Sequence, residues 1–213
     1  MKIEIWSDFA CPYCYIGEKK LEKALEELKL DSSAKVSFRS FQLDVNAVSH
    51  PNEDINTLIS KKYKISYEQA KKANDGIVAT AKEVGLNYDF DNLKPSNTGL
   101  AHQLIKFAKT KGKETQFAER LFNAYFVEGI ELGKMENLIE LASLEGFDVE
   151  EVEYALNETV YLKEVLEDQR MAHELGVSSF PFFVIEDKYA VSGAQSVEYF
   201  RMAIEKALNM KEN

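Results

Sequence analysis

The chain of 213 residues has only two cysteines, four prolines, one tryptophan and no long apolar segment. Two cysteines are too few for a disulfide scaffold or for a four-thiolate zinc site. The longest wholly apolar run, residues 180–185, is far shorter than the ~18 residues that a membrane-spanning helix needs. The first residues also lack the apolar core of a signal peptide. These absences favour a cytoplasmic protein without a membrane partner.

The chain is acidic, with 36 Asp and Glu residues against 26 Lys and Arg residues and a net charge of −10. This charge favours solubility and repels the phosphate backbone of nucleic acids, so we expect no nucleic-acid partner. Apolar residues make up 45% and charged residues 29%, which is ordinary globular usage and excludes a disordered chain.

Hydrophobic periodicity indicates two regions of mixed structure with a helical block between them. Residues 2–6 and 35–43 alternate as strands, with an amphipathic helix between them that suits a parallel crossover. From about residue 52 to residue 175 the periods are helical. Residues 182–185 and 189–191 then predict an antiparallel hairpin, and a last helix follows it.

The two cysteines form a Cys-Pro-Tyr-Cys motif at the predicted start of the first helix. Thiol–disulfide exchange needs a thiolate that attacks and a second thiol that resolves the mixed disulfide. Free N–H groups and the helix dipole favour a thiolate at Cys11, whereas Cys14, one turn further, is expected to be less exposed. Pro12 suits the first helical turn and stiffens the loop between the thiols. Tyr13 is the second residue between the two cysteines.

Two alternatives for the cysteines carry less weight. They could be buried small apolar residues, or they could form half of a zinc site. A zinc site would need two more ligands, and His50, His102 and His173 lie far apart without paired spacing. The motif therefore favours redox chemistry.

A proline opens the predicted strand at residues 182–185, where the missing N–H is tolerated. An ordinary trans proline at a strand edge is the alternative. In a core of the thioredoxin type, however, a cis proline lies at this place against the cysteine pair, and the residue before it faces an incoming peptide. We therefore expect the Phe180–Pro181 bond to be cis. We expect Phe180 and Ser179, and Pro12 and Tyr13 between the cysteines, to contact substrate.

Four segments resemble the DsbA-like thioredoxin superfamily in its FrnE-like branch. They are WSDFACPYCYIG at 6–17, LFNAYF at 121–126, GVSSFPFFV at 176–184 and YAVSGAQ at 189–195. The resemblance covers nearly the whole chain. It implies a thiol–disulfide oxidoreductase in which Cys11 is the nucleophile, Cys14 the resolving thiol and Pro181 the cis proline.

The resemblance and the order of elements predict an α/β fold (α+β by some schemes), thioredoxin-like with an inserted all-helical domain. Residues 1–48 plus 161–213 would form the thioredoxin-like domain. Residues 49–160 would form the helical insertion, a cap beside the active site that shapes a groove.

The sequence departs from the family pattern at two positions. The periplasmic DsbA enzymes, which this sequence resembles, have Pro-His between the two cysteines where this chain has Pro-Tyr. Tyr13 supplies no positive charge beside the thiolate. We therefore predict a less acidic Cys11 and a less oxidising cysteine pair than in those enzymes. Phe180 is bulkier than the residue usually found before the proline, which leaves the peptide specificity open.

Two other polar residues invite a functional interpretation. Asp8 lies three residues before Cys11, where a carboxylate could relay protons to Cys14. We favour the simpler interpretation, an aspartate that caps the start of the helix. His102 lies off the apolar stripe of its predicted helix, and we expect it in a groove or at the surface.

The predicted function is thiol–disulfide exchange with protein or small-molecule disulfides and thiols, without a metal or organic cofactor. Glutathione could serve as a co-substrate, and either glutathione or a thioredoxin-like protein would recycle the pair. Two alternatives stay open: a glutathione-dependent transferase or isomerase of the kappa-class or 2-hydroxychromene-2-carboxylate isomerase type, and a non-enzymatic holdase. The sequence leaves the oligomeric state open, a dimer included.

Overall fold

The computed structural model describes residues 1–209, and in them four strands and nine helices. The strands are β1 (Lys2–Ser7), β2 (Lys35–Ser40), β3 (Phe182–Ile185) and β4 (Tyr189–Ser192). The helices are α1 (Pro12–Glu27), α2 (Ile55–Tyr63), α3 (Tyr67–Lys82), α4 (Gly99–Thr110), α5 (Glu114–Phe126), α6 (Met135–Leu144), α7 (Val149–Asn157), α8 (Leu162–Glu174) and α9 (Val197–Asn209). No helix in this part of the chain is long and apolar enough to cross a bilayer.

The four strands form one mixed sheet in the order β2-β1-β3-β4. β1 runs parallel to β2 and antiparallel to β3, which pairs with β4 as a hairpin. The predicted crossover and hairpin are both confirmed. Ile5 of the central strand lies opposite Phe38 on one side and Phe183 on the other, and all three side chains are buried. β1 is therefore held on both edges, and its C-terminal end has a fixed position.

The predicted second strand is shorter than expected because the chain turns away from the sheet after Ser40. The N–H of Phe41 still donates to the carbonyl of Ser7, at 3.1 Å. The N–H of Leu43 instead donates to the carboxylate of Asp8, at 2.7 Å. The alternation of residues 41–43 thus comes from a segment bound to the active-site loop and not from the sheet.

Helices from the predicted insertion pack directly on the thioredoxin-like core. Phe122 of α5 has its ring 4.8 Å from that of Phe9 and 5.1 Å from that of Tyr15. Ile5, Tyr15 and Phe122 belong to one continuous cluster of buried side chains. The predicted division into a thioredoxin-like domain and a helical insertion stays a prediction. Residues 210–213 of the predicted thioredoxin-like domain lie outside the described residues.

A network of four charges, three of them buried, fastens α4 and α8 to the sheet. The carboxylate of Asp168 accepts from Arg39 at 2.9 Å and from Lys106, and Arg39 also donates to Glu4. The indole of Trp6 donates to the backbone carbonyl of Asp168 at 3.1 Å. Two positive and two negative groups balance each other, which limits the cost of removing them from water.

Replacing Asp168 with alanine is expected to lower the free energy of unfolding by about 3–5 kcal/mol, because Lys106 and Arg39 then lose a buried counter-charge. Urea unfolding measures the change. The neighbouring Glu167→Ala removes only an exposed ion pair with Arg170, so its effect is expected to be far smaller than that of Asp168→Ala. Equal losses in the two variants would contradict the structural role given to Asp168.

Candidate active site

The two cysteines lie at the junction between β1 and α1. Cys11 occupies the N-cap position in an extended conformation, and Pro12 follows as the first helical residue. The N–H of Cys11 donates to the carbonyl of Asp8, at 3.0 Å, and this bond closes the loop. Both cysteines are free thiols. Cys11 is 7% exposed and Cys14 only 1%, in the predicted order.

The two thiols have opposite acidities. The pKa of the Cys11 thiol lies below its ordinary value, chiefly because the Cys14 thiol donates a hydrogen bond to it, with backbone N–H groups of Cys14 and Tyr13 helping. Burial and the carboxylate of Asp8 oppose this effect. Burial raises the pKa of the Cys14 thiol well above its ordinary value. The first thiol is therefore the one that ionises, and the second holds its proton.

Pro181 packs against α1 just after the cysteine pair. Its peptide bond with Phe180 is cis, and its ring is buried. A Cβ atom placed on Gly17, three residues after Cys14, would lie 2.7 Å from Cγ of Pro181 and 3.2 Å from the Phe183 ring. The carbonyl of Pro181 accepts from the N–H of Gly193 at 2.7 Å. Only a glycine at position 17 allows the helix and the proline to approach this closely.

The remaining predicted contact residues differ in how available they are. The side chain of Tyr13 is exposed, and so is that of Ser179, whose hydroxyl bonds that of Ser192. Phe180 is half-buried, with its ring stacked 4.0 Å from that of Phe41. The bulky Phe180 ring thus packs against Phe41, a contact that the sequence did not predict.

Asp8 is a buried carboxylate that joins three parts of the chain. Its oxygens accept from the N–H of Ala10 at 3.1 Å, the N–H of Leu43 at 2.7 Å and the hydroxyl of Thr98 at 2.7 Å. Nε2 of His102 lies 3.4 Å away. Asp8 therefore joins the cysteine loop to the segment after β2 and to the start of α4, where we had expected a cap on α1.

The position of His102 corrects the prediction from sequence. We expected a groove or surface residue, but the side chain is buried against Asp8 and Phe9. The helical stripe failed as a guide because α4 is buried around most of its circumference, so an off-stripe residue still faces protein. Burial acts to raise the pKa of Asp8, but the hydrogen bonds from His102, Leu43 and Ala10 hold that pKa below its ordinary value.

A tyrosine from the predicted insertion completes the loop. The hydroxyl of Tyr88 donates to the carbonyl of Pro12 at 2.7 Å, and its ring stacks 4.7 Å from Phe126 and 6.3 Å from Tyr15. Nothing in the sequence around this residue signals the role, because the contact joins positions 76 residues apart.

The three histidines do not meet. His102 is beside Asp8, His173 stacks 5.5 Å from Phe41, and His50 pairs with Glu53 at 3.4 Å. Within residues 1–209, no three His, Cys, Asp or Glu side chains come together in a way that could hold a metal ion.

A Cys-x-x-Cys at the start of the first helix and a cis proline before an antiparallel hairpin define a thioredoxin-like protein. The model of the DSBA-like thioredoxin domain family matches residues 2–205. The chain belongs to this family.

Three known proteins show how the chain relates to others. A probable DsbA oxidoreductase from Streptomyces coelicolor is 35% identical, with a TM-score of 0.91 over 98% of this chain and 90% of that one. The YwbO protein of Bacillus subtilis is 27% identical over 95% of this chain and 94% of its own. A 2-hydroxychromene-2-carboxylate isomerase shares the fold, with a TM-score of 0.71 over 100% of this chain and 98% of that one, at 16% identity.

The close approach of α1 and Pro181 predicts an asymmetry between two helical glycines. Gly17→Ala is expected to lower the free energy of unfolding by about 1–3 kcal/mol, because its Cβ would overlap the proline ring. Gly76→Ala has nothing within 4 Å of the new Cβ and is expected to raise stability by about 0.5–1 kcal/mol. Urea unfolding of both variants checks the sign. A Gly17→Ala protein as stable as the parent would contradict the packing.

The buried Asp8 predicts a pH-dependent contribution to stability. Its folded pKa is depressed, so the contribution is complete above its unfolded pKa of about 4 and is lost as pH falls further. Asp8→Asn is therefore expected to cost about 2 kcal/mol at pH 7 and less below pH 4. The exposed Asp31→Asn should change stability by less than about 0.5 kcal/mol. A loss for Asp8→Asn that is constant from pH 7 to pH 3 would refute this assignment.

Proposed function

We propose that the protein is a thiol–disulfide oxidoreductase of the DsbA/FrnE type. The observation that carries this proposal is the unequal pair of free thiols. Cys11 is the more exposed thiol and has the lowered pKa, whereas Cys14 is buried and has the raised one. Thiol–disulfide exchange requires this division between an attacking thiolate and a resolving thiol.

The proposed reaction has two exchange steps. The thiolate of Cys11 attacks a substrate disulfide, forms a mixed disulfide and releases the first substrate thiolate. Cys14 then attacks the Cys11 sulfur, releases the second substrate thiolate and gives up its proton. The substrate disulfide gains two electrons, and the cysteine pair loses two as its own disulfide forms. The same steps in reverse oxidise a substrate dithiol.

Substrate would lie across the exposed edge of the site. Ser179 and Phe180 would offer backbone groups to an extended segment, in the manner of strand addition. Pro181, whose carbonyl is bonded to the N–H of Gly193, would hold them in place. Pro12 and Tyr13 would line the opposite side, with Tyr13 as the exposed contact. Protein or small-molecule disulfides are the proposed substrates in the cytoplasm, and glutathione or a thioredoxin-like partner is the proposed recycling agent.

Equilibration in glutathione redox buffers tests the proposal. Mass spectrometry after thiol alkylation is expected to show one two-electron transition between the dithiol and a Cys11–Cys14 disulfide. Cys14→Ser should accumulate a mixed disulfide of Cys11 with glutathione, since nothing resolves it. The matched variant Cys11→Ser should accumulate none at neutral pH, because the remaining thiol is buried and protonated.

The midpoint of that transition assigns the direction of electron flow. A value near −270 mV, about that of thioredoxin, indicates a reductant, and a value of about −120 to −180 mV indicates an oxidant or isomerase. Because Tyr13 adds no positive charge, we expect the pair to be less oxidising than DsbA.

If no internal disulfide forms, the oxidoreductase proposal fails. Glutathione-dependent turnover of a small electrophile that survives Cys14→Ser would then favour the transferase or isomerase. Suppression of aggregation that survives replacement of both cysteines by serine would favour a holdase.

A further inference from the structure

Tyr88 is a buried tyrosine whose hydroxyl is bonded to the cysteine loop. It is 6% exposed, and its hydroxyl donates to the carbonyl of Pro12 at 2.7 Å. Pro12 is the first residue of α1, where the helix itself supplies a donor to that carbonyl. A carbonyl oxygen has two lone pairs, so the bond from Tyr88 is an additional one. It falls on the peptide unit between Pro12 and Tyr13, which lies between the two cysteines.

The ring of Tyr88 is held in place from several sides. Its centroid lies 4.7 Å from that of Phe126 and 5.7 Å from that of Phe90, with the rings stacked in both pairs. The N–H of the next residue, Asp89, donates to the backbone carbonyl of Phe126 at 2.7 Å. The hydroxyl is therefore positioned on the Pro12 carbonyl by the end of α5, and substrate is not needed to place it there.

The N–H of the same peptide unit faces Cys11. Cys11 is the N-cap of α1, a position whose side chain lies close to the N–H groups of the second and third helical residues, Tyr13 and Cys14. Both N–H groups favour a thiolate at Cys11. In the described part of the chain the thiol forms no side-chain capping bond, since a neutral sulfur is a weak acceptor. The Tyr13 N–H therefore acts on the charged form of Cys11.

The bond from Tyr88 and the N–H of Tyr13 belong to one conjugated group. A donor on the carbonyl oxygen draws electron density across the amide, because the C–N bond has partial double-bond character. The N–H at the other end then becomes a better donor, and such coupling strengthens a hydrogen bond by about 10–30%. The Tyr88 hydroxyl is thus connected, through the peptide between Pro12 and Tyr13, to the sulfur of Cys11.

The surrounding ionisable groups leave the Tyr88 hydroxyl as a permanent donor. The groups that face Tyr88 are Tyr15, Cys11, Cys14 and Glu18. Burial raises the pKa of Tyr88, and the two thiols add to this effect. The hydroxyl therefore keeps its proton throughout the range in which Cys11 titrates. The groups that face Cys11 itself are Cys14, which donates to it, and Asp8, whose charge opposes the thiolate.

We propose that Tyr88 is a positioning residue that strengthens the donation from the Tyr13 N–H to the Cys11 sulfur and thereby stabilises the attacking thiolate. This inference rests on the proposed function. The thiolate exists only in the dithiol form, because the sulfur atoms of a disulfide carry no charge. Tyr88 therefore favours the dithiol over the disulfide and makes the pair more oxidising.

The test is the pH dependence of Cys11 alkylation in the reduced protein, followed by mass, because its midpoint reports the pKa of Cys11. Tyr88→Phe keeps the ring but removes the hydroxyl, so the midpoint is expected to rise by about half a pH unit, or about threefold in the acid dissociation constant. Tyr15→Phe is the matched control and should leave the midpoint unchanged. Its ring stacks on that of Tyr88, but its hydroxyl lies among the charged groups of Lys19 and Glu119.

The exchange equilibrium with glutathione gives an independent readout. Tyr88→Phe loses part of the stabilisation of the dithiol form, so the equilibrium should move toward the Cys11–Cys14 disulfide by up to about threefold. Tyr15→Phe should match the parent protein. A purely structural role for Tyr88 would lower the free energy of unfolding in urea but would move neither the alkylation midpoint nor this equilibrium.

A carbon-13 titration of the parent protein covers the case in which Tyr88→Phe does not fold. The Cζ resonance of Tyr88 should move with the same midpoint as Cys11 alkylation. A resonance that does not follow this midpoint would overturn the proposal, as would an unchanged midpoint in folded Tyr88→Phe. Either result leaves the oxidoreductase function intact if the Cys11–Cys14 disulfide forms in the parent protein. Failure of that disulfide to form removes the proposed function and, with it, this role of Tyr88.

Discussion

The candidate site depends on one buried carboxylate, that of Asp8. Moving such an ion out of water costs several kcal/mol unless donors surround it. Here the donors come from the cysteine loop at Ala10, from the segment after β2 at Leu43 and from α4 at Thr98 and His102. The charge is stabilised only when all three parts are in place. The position of Cys11 is therefore tied to the arrival of a helix some 90 residues away in the chain.

This arrangement brings a negative charge close to the nucleophile and opposes the thiolate at Cys11. What favours the thiolate is local: the thiol of Cys14 and backbone N–H groups at the start of α1, a helix without an acidic residue in its first turn. A second negative charge nearby would work against the same thiolate. Glu18 of α1 is also buried, but burial raises its pKa well above the ordinary value, so it stays neutral. The surroundings of Asp8 and Glu18 thus favour the ionised form of one buried carboxyl group and the neutral form of the other.

The sequence predicted the parts of the fold that rest on short-range patterns. The Cys-Pro-Tyr-Cys motif, the crossover between β1 and β2 and the hairpin of β3 and β4 all follow from spacing within a few residues. Contacts between distant segments were missed or misread. The Tyr88–Pro12 bond leaves no local pattern, and His102 was misplaced because α4 is buried on nearly every side. Glu18 was passed over because a glutamate in a helix rich in Lys and Glu normally faces solvent.

The fold alone does not decide the chemistry. A 2-hydroxychromene-2-carboxylate isomerase has the same fold at 16% identity, so the framework is compatible with more than one reaction. The chemistry therefore depends on the side chains at the start of α1 and on the helices that reach them. In this chain, Thr98, His102 and Tyr88 of the predicted insertion all bond the cysteine loop or its proline. The insertion is therefore part of the site itself, because without it Asp8 would lose its contacts with Thr98 and His102 and the Pro12 carbonyl would lose the Tyr88 hydroxyl.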